Sequence, residues 1–344
     1  MAKQIGAAME NQNNVYSISV EHLVKKYGGF TAVNDISFKV KSGEIFGLLG
    51  PNGAGKTTAI SILSTIISNT SGSALILGKS VVKQKDDVRK LIGIVFQDPS
   101  LDDELTGREN LDLHSRLYGV KGQEKKDAIK KALKLVDIDD NVADRPVKTY
   151  SGGMKRRLEI ARGFIHNPKV LFLDEPTTGL DPQTRRKIWD YISHINETEK
   201  ITIILTTHYM DEADELCDRI AIMDHGKIIK LDTSEKLKDS LGGDIIRIGS
   251  DKPKELVRLL KKAKISSSVK EVGENVEVTT KNGGEAIPKI IKLAQKSKIS
   301  IDYTTLKRPT LEDVFISLTG REIREEGADA AQMLKNAPWG RGRR

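Results

Sequence analysis

The stretch from Gly43 to Ile66, GEIFGLLGPNGAGKTTAISILSTI, limits the fold more than any other part of this chain. An apolar strand runs into a glycine loop, and the loop runs into a helical pattern. The loop has the form G-x-x-x-x-G-K-[ST], whose backbone N–H groups cradle phosphates at the start of a helix. It consists of Gly50, Pro51, Asn52, Gly53, Ala54, Gly55, Lys56, Thr57 and Thr58. Gly50, Gly53 and Gly55 let the backbone wrap a polyphosphate. Lys56 places a positive charge on the β- and γ-phosphates, and Thr57 offers a hydroxyl to Mg²⁺.

A phosphate loop of this kind belongs to a sheet of parallel strands, and such strands recur. LIGIVFQ, KVLFLDEP, ITIILTTH and RIAIMDHGKII are short apolar runs separated by helical patterns, which is the alternation expected of a parallel sheet. VYSISVEHL alternates and reads as an edge strand; NDISFKV reads as another strand. In an open α/β sheet, ligands bind beyond the C-terminal strand ends, and polar residues stand at those ends. Asp174 fits Mg²⁺ binding through water, and Glu175 fits the base or orienting group for an attacking water. His208 fits a γ-phosphate contact; alone it would read as structural. Gln97 fits a contact to Mg²⁺ or the attacking water. Tyr27 reads either as packing or as a stacking surface for a base. Residues of about 100–150 are charged and helical in period, a helical insertion in the α/β domain.

YSGGMKRR, Tyr150 to Arg157, presents a second helix N-terminus suited to an anion. The chain thus holds two phosphate-binding elements almost a hundred residues apart. From Asp232 the order βαββαβ with an added helix predicts a small ferredoxin-like α+β module over 233–320. The reading is a flexible tail at 1–14, a nucleotide-binding domain at 15–232, the accessory domain, and a polar tail at 321–344. Residues 1–235 carry equal numbers of basic and acidic side chains, so the net charge of +8 resides in the remainder. A solvated basic face explains that excess, and a contact with anionic lipid or nucleic acid is the alternative. A single cysteine, Cys217, rules out an internal disulfide framework and fits a reducing cytosol. No apolar run reaches the ~18 residues of a spanning helix, so work at a membrane requires a partner.

Together these strings resemble the ATP-binding subunit of an ABC transporter, a P-loop ATPase fold. YSGGMK is similar to that family's signature, with Tyr150 and Met154 in place of its commonest Leu and Gln. The resemblance implies ATP and Mg²⁺ as ligands and a head-to-tail homodimer. Ser151, Gly152 and Gly153 then serve the ATP held by the other subunit, and Asp181 lies in the loop between subunits. It also makes Tyr27 the base-stacking aromatic, Gln97 the sensor of the membrane partner and His208 the switch histidine. QDPSLDDELTGRENL, THYMDEADELCDRIAIMDHGKI and PTLEDVFISLTGREI narrow the likeness to the daunorubicin/multidrug-resistance export class. That class implies a separately encoded membrane-spanning permease, a peripheral position on the cytoplasmic face of the membrane, and export of a drug, lipid or polysaccharide. An importer ATPase and a soluble ABC ATPase acting on ribosomes or nucleic acid are the alternatives; only one phosphate loop and a short insertion argue against the latter, and no nucleic-acid partner is expected. A GTPase reading lacks the N-K-x-D base-reading motif.

Overall fold

The computed structural model describes residues 16–98, 100–263, 268–273 and 275–320. The expected tails, 1–14 and 321–344, lie outside the described residues. The chain forms two compact units that meet in sequence between Leu231 and Asp232.

The first unit opens with β1 (Tyr16–Tyr27), β2 (Phe30–Lys41) and β3 (Ile45–Leu49), followed by the loop and helix α1 (Lys56–Leu63). Strands β4 (Ser71–Ile76) and β5 (Lys79–Ser80), helix α2 (Lys85–Leu91) and β6 (Ile92–Val95) come next. The charged segment then folds as α3 (Gly107–Leu117), α4 (Gly122–Leu135) and α5 (Asp140–Ala143), leading to α6 (Gly152–Phe164). The rest is β7 (Val170–Asp174), α7 (Pro182–Glu199), β8 (Thr202–Thr207), α8 (Met210–Leu216), β9 (Arg219–Asp224) and β10 (Lys227–Asp232).

Two sheets are built from these strands. One has the order β10-β9-β3-β8-β7-β6, and β9 through β6 run parallel. Every residue of β3, β7 and β8 is buried, so these strands are continuous apolar runs rather than alternating ones. The other sheet is antiparallel, with the order β2-β1-β4-β5. Here the expectation of an edge strand at VYSISVEHL fails: β1 lies between β2 and β4. Its alternation reports one face on the core, where Ile18, Val20 and Leu23 are buried, and alternation does not tell a central antiparallel strand from an edge one. RIAIMDHGKII is likewise two strands rather than one, separated at His225 and Gly226, both of which have positive φ.

The second unit contains a short helix, α9 (Ser234–Asp239). It continues with β11 (Asp244–Ser250), α10 (Pro253–Ala263), β12 (Ser268–Val272), β13 (Asn275–Thr280), α11 (Gly283–Lys296), β14 (Ile301–Lys307) and α12 (Leu311–Thr319). Its antiparallel sheet has the order β12-β13-β11-β14, the ferredoxin-like arrangement. Ile246, Ile248, Val276 and Val278 of the sheet pack with Leu256 and Leu260 of α10 and Ile290 of α11.

Candidate active site

The parallel sheet brings the predicted residues to one edge. The phosphate loop leaves β3, Gln97 follows β6, Asp174 and Glu175 end β7, and His208 follows β8. Gly50 N–H donates to Thr207 O at 3.2 Å, which fixes the loop to the end of β8. The glycines of the loop are dictated sterically. Gly55 has φ 98°, and a Cβ there would strike the Ala32 carbonyl, as one at Gly50 would strike Met223 O. Gly53, at φ 81°, faces open space. That space is a cleft of about 290 Å³ lined by Phe30, Ala32, residues 52–58, Gln97 and Glu175.

Inside it, Lys56 is only 4% exposed. Its ammonium donates to Gly50 O at 2.7 Å and Pro51 O at 3.1 Å, and lies 3.3 Å from Glu175 Oε1. Burial pushes its pKa down, opposed by the adjacent carboxylates of Glu175 and Asp174. Glu175 has φ 45°, a left-handed conformation that a non-glycine residue keeps only when its surroundings hold it there. They do: its N–H donates to Thr206 Oγ1 at 3.0 Å, and Thr178 Oγ1 donates to Oε2 at 3.0 Å. His208 Nδ1 is 3.2 Å from the same oxygen, so the imidazole is the partner of this carboxylate on the side away from Lys56. Burial raises the Glu175 pKa, but His208 and the Lys56 charge outweigh it and bring the carboxyl down to about 2. The carboxylate is therefore ionised at neutral pH.

Asp174 differs from its neighbour. Thr206 Oγ1 donates to Asp174 Oδ1 at 2.5 Å and Thr57 Oγ1 to the same oxygen at 3.1 Å. Burial still dominates and raises its pKa. The Thr57–Asp174 contact brings together a hydroxyl and a carboxylate, the oxygen donors Mg²⁺ accepts. Among the described residues no group of three or more His, Cys, Asp or Glu side chains stands ready for a metal.

Tyr27 and Phe30 face each other at the β1–β2 turn and are 46% and 63% exposed. Phe30 lines the cleft, whereas Tyr27 stands outside the lining and packs beneath the Lys25 ammonium, 4.9 Å from the ring centre. Phe30 was not singled out in the sequence, where a Gly-Gly-Phe turn carries no distinguishing signal.

The second anion element is absent from the cleft lining. Ser151 caps α6, its Oγ accepting from Met154 N at 3.3 Å, so the cap satisfies one N–H of the first turn. Ser151 and Gly152 are exposed. A Cβ on Gly153 would come within 2.5 Å of Thr184 Cγ2, which is why glycine sits here: α6 and α7 approach too closely for a side chain. Asp181 caps α7, accepting from Gln183 N at 3.1 Å, Thr184 N at 3.0 Å and Thr184 Oγ1 at 2.6 Å. Tyr150 is buried and donates to Val142 O at 2.6 Å, which ties the start of the signature to the helical insertion. Arg156, one turn further on, is buried at 7% exposure and was also missed in the sequence, where it is one of two adjacent arginines in a basic run.

The comparisons agree with this geometry. A family model described as "ABC transporter" matches residues 33–178, and one described as "ATP-binding protein DrrA1-3-like, C-terminal domain" matches 233–319. The chain is 38% identical over 321 residues to the daunorubicin resistance ATP-binding protein DrrA2 of Streptomyces coeruleorubidus, covering 92% of this chain and 98% of that one. It is 38% identical over 316 residues to the Nod factor export ATP-binding protein I of Sinorhizobium fredii, covering 90% and 88%. Among solved structures it resembles the ATP-binding cassette MJ0796, a dimer bound to ADP and Pi. The TM-score is 0.56 at 27% identity, over 63% of this chain and 98% of that one. The chain belongs to the ABC transporter ATP-binding proteins of the daunorubicin-resistance type and is the ATP-hydrolysing subunit of an exporter.

Proposed function

We propose that two copies of this chain close head to tail over two ATP molecules, each held between the phosphate loop of one copy and Ser151–Gly153 of the other. One observation carries the reading: the chain has two anion-binding elements, and the cleft around the first contains no residue of the second. An uncovered helix N-terminus carries roughly half a positive charge, which is useful only against a phosphate. The dimeric state of MJ0796 with ADP and Pi supports a dimer that binds nucleotide.

In this reading Lys56 and the loop amides bind the phosphates. Thr57, Asp174 and Gln97 would hold Mg²⁺, directly or through water, and a bound ion would supply screening of the phosphate charge. Glu175, already ionised, accepts a proton from the attacking water, and His208 touches the γ-phosphate. Tyr27 stacks on the base, and Asp181 contacts the partner copy.

No described helix is long and apolar enough to cross a membrane. The reading gives the transport path to a separately encoded permease and places this chain at the cytoplasmic face of the membrane, supported by the likeness to the ATP-binding proteins of exporters. The names of the relatives, daunorubicin resistance and Nod factor export, support an exported cargo, and the class resemblance makes it a drug, lipid or polysaccharide. The 232–320 unit acts as a regulatory or dimer-supporting domain.

Gel filtration tests the reading. Glu175→Gln with MgATP should elute as a dimer, and Glu175→Gln/Ser151→Arg as a monomer. A dimer in both samples would contradict the composite site.

A further inference from the structure

Arg156 lies on α6 one turn beyond the signature, and it is the most heavily bonded buried side chain near the site. Its Nε donates to Pro176 O at 2.6 Å. Nη1 donates to Phe96 O at 2.6 Å and to Glu159 Oε2 at 3.0 Å. Nη2 donates to Asp174 O and Glu175 O, each at 3.1 Å. A guanidinium has five N–H donors in a fixed planar fork, and here there are five acceptors. Three of them are consecutive carbonyls of the turn that carries Glu175. The fourth is the carbonyl just before Gln97. The fifth, Glu159, uses its other oxygen to accept from Ser100 N at 2.8 Å, so the pair grips the chain on both sides of Gln97.

We infer that Arg156 is a positioning residue for hydrolysis: it fixes the Glu175 turn to the signature helix, so that the carboxylate is aimed only when that helix is seated. Three facts support it. Glu175 occupies a left-handed conformation at φ 45°, which is strained for a non-glycine residue and persists only where neighbours impose it. Arg156 bonds the carbonyls before, at and after the residue that needs holding. Its hydrogen bonds go to Pro176, Phe96, Glu159, Asp174 and Glu175 and not to a phosphate-loop residue, so its contribution is separable from phosphate-loop binding. The side chain also lies on the same helix as Ser151, which places the group expected to meet the partner's ATP and the group that aims the local base on one rigid element.

The inference rests on Glu175 acting on water, as proposed above, and its test includes that residue. Lysine offers three donors from one point and cannot span these carbonyls. Arg156→Lys should bind MgATP with a Kd within about threefold of wild type, because the phosphate loop is untouched. Its kcat should fall about 10²-fold, the scale of an ångström-sized misplacement of a catalytic group. Arg156→Lys/Glu175→Gln should hydrolyse ATP no more than about threefold more slowly than Glu175→Gln alone, since residues acting through one another are not additive. If Arg156→Lys does not fold, Arg156→Met/Glu159→Leu removes both buried charges together, a replacement that often preserves stability, and carries the same expectations. Wild-type kcat in a folded variant, a loss confined to nucleotide affinity, or a loss that multiplies with that of Glu175→Gln would each overturn the inference. Wild-type turnover in Glu175→Gln itself would instead remove Glu175 from the mechanism.

Discussion

Lys56 Nζ lies 3.3 Å from Glu175 Oε1, both side chains almost fully buried. In the proposed reading the pair joins the group that binds phosphate to the group that acts on water. The two charges neutralise each other, so phosphates bound as proposed would compete with Glu175 for the lysine.

The two halves of this pair should therefore fail differently. Lys56→Ala should lose most MgATP affinity, as measured by fluorescent-nucleotide titration. Glu175→Gln should keep that affinity and hydrolyse about 10²–10⁴-fold more slowly in single-turnover assays, the usual cost of a lost base. Unchanged affinity in Lys56→Ala would contradict the phosphate-loop assignment.

The same pair gives a pH dependence with a definite sign. The Glu175 carboxyl falls from an ordinary value of 4.5 to about 2 in the fold. A depressed acid contributes stability that is present above its unfolded pKa and is lost as pH falls through the folded one. Urea unfolding of wild type and Glu175→Gln should differ by a constant amount above about pH 5. The difference should shift in the direction of wild-type destabilisation between pH 4.5 and 2. A difference that is flat across that window would mean the carboxylate is not held by His208 and Lys56.

Gly153 predicts a packing defect with a specific cure. Gly153→Ala would put a Cβ within 2.5 Å of Thr184 Cγ2, an overpacking that costs ~1–3 kcal/mol. Thr184→Ser removes that methyl and keeps the hydroxyl that donates to Asp181, so it should restore most of the lost thermal stability. If the double variant melts no higher than Gly153→Ala alone, the close approach of α6 and α7 is not what excludes the side chain.

Much of this site is legible in the sequence because its chemistry is written in short contiguous strings. GPNGAGKT, VLFLDEP, TTH and YSGGMK each combine a strand or helix boundary with the residues proposed to act there, and the parallel sheet brings three of the four to one edge. What escapes is whatever depends on contacts between distant segments. Arg156 meets carbonyls 18 to 60 positions away, and nothing in KRR marks which arginine turns inward. Phe30 becomes a cleft residue only because a hairpin places it over the loop. β1 reads as an edge because alternation reports one buried face and says nothing about how many neighbours a strand has. In the second unit the βαββαβ order with an added helix is legible, since its helices and strands are amphipathic and separated by Gly, Asn and Pro turns, but the short helix α9 before it is not.

Among the described residues, every one that lines the cleft belongs to the first unit. A chain truncated after Asp232 should fold and bind MgATP with a Kd within about threefold of the full chain, while its ATP-driven dimerisation changes. A folded truncation that cannot bind nucleotide would show that the proposed division at 232 is wrong.

The most direct test of the head-to-tail account mixes two defective chains. Ser151→Arg leaves the local phosphate loop intact but blocks the face offered to the other copy, and Lys56→Ala does the reverse. In a dimer of one of each, both defects fall on the same composite site, and the other site keeps an intact loop and an intact signature. The measurement is ATP occluded per dimer after rapid removal of free nucleotide. The account predicts occlusion in the mixture approaching one ATP per mixed dimer, against almost none for either variant alone; occlusion in the mixture no greater than in the separate variants would contradict it.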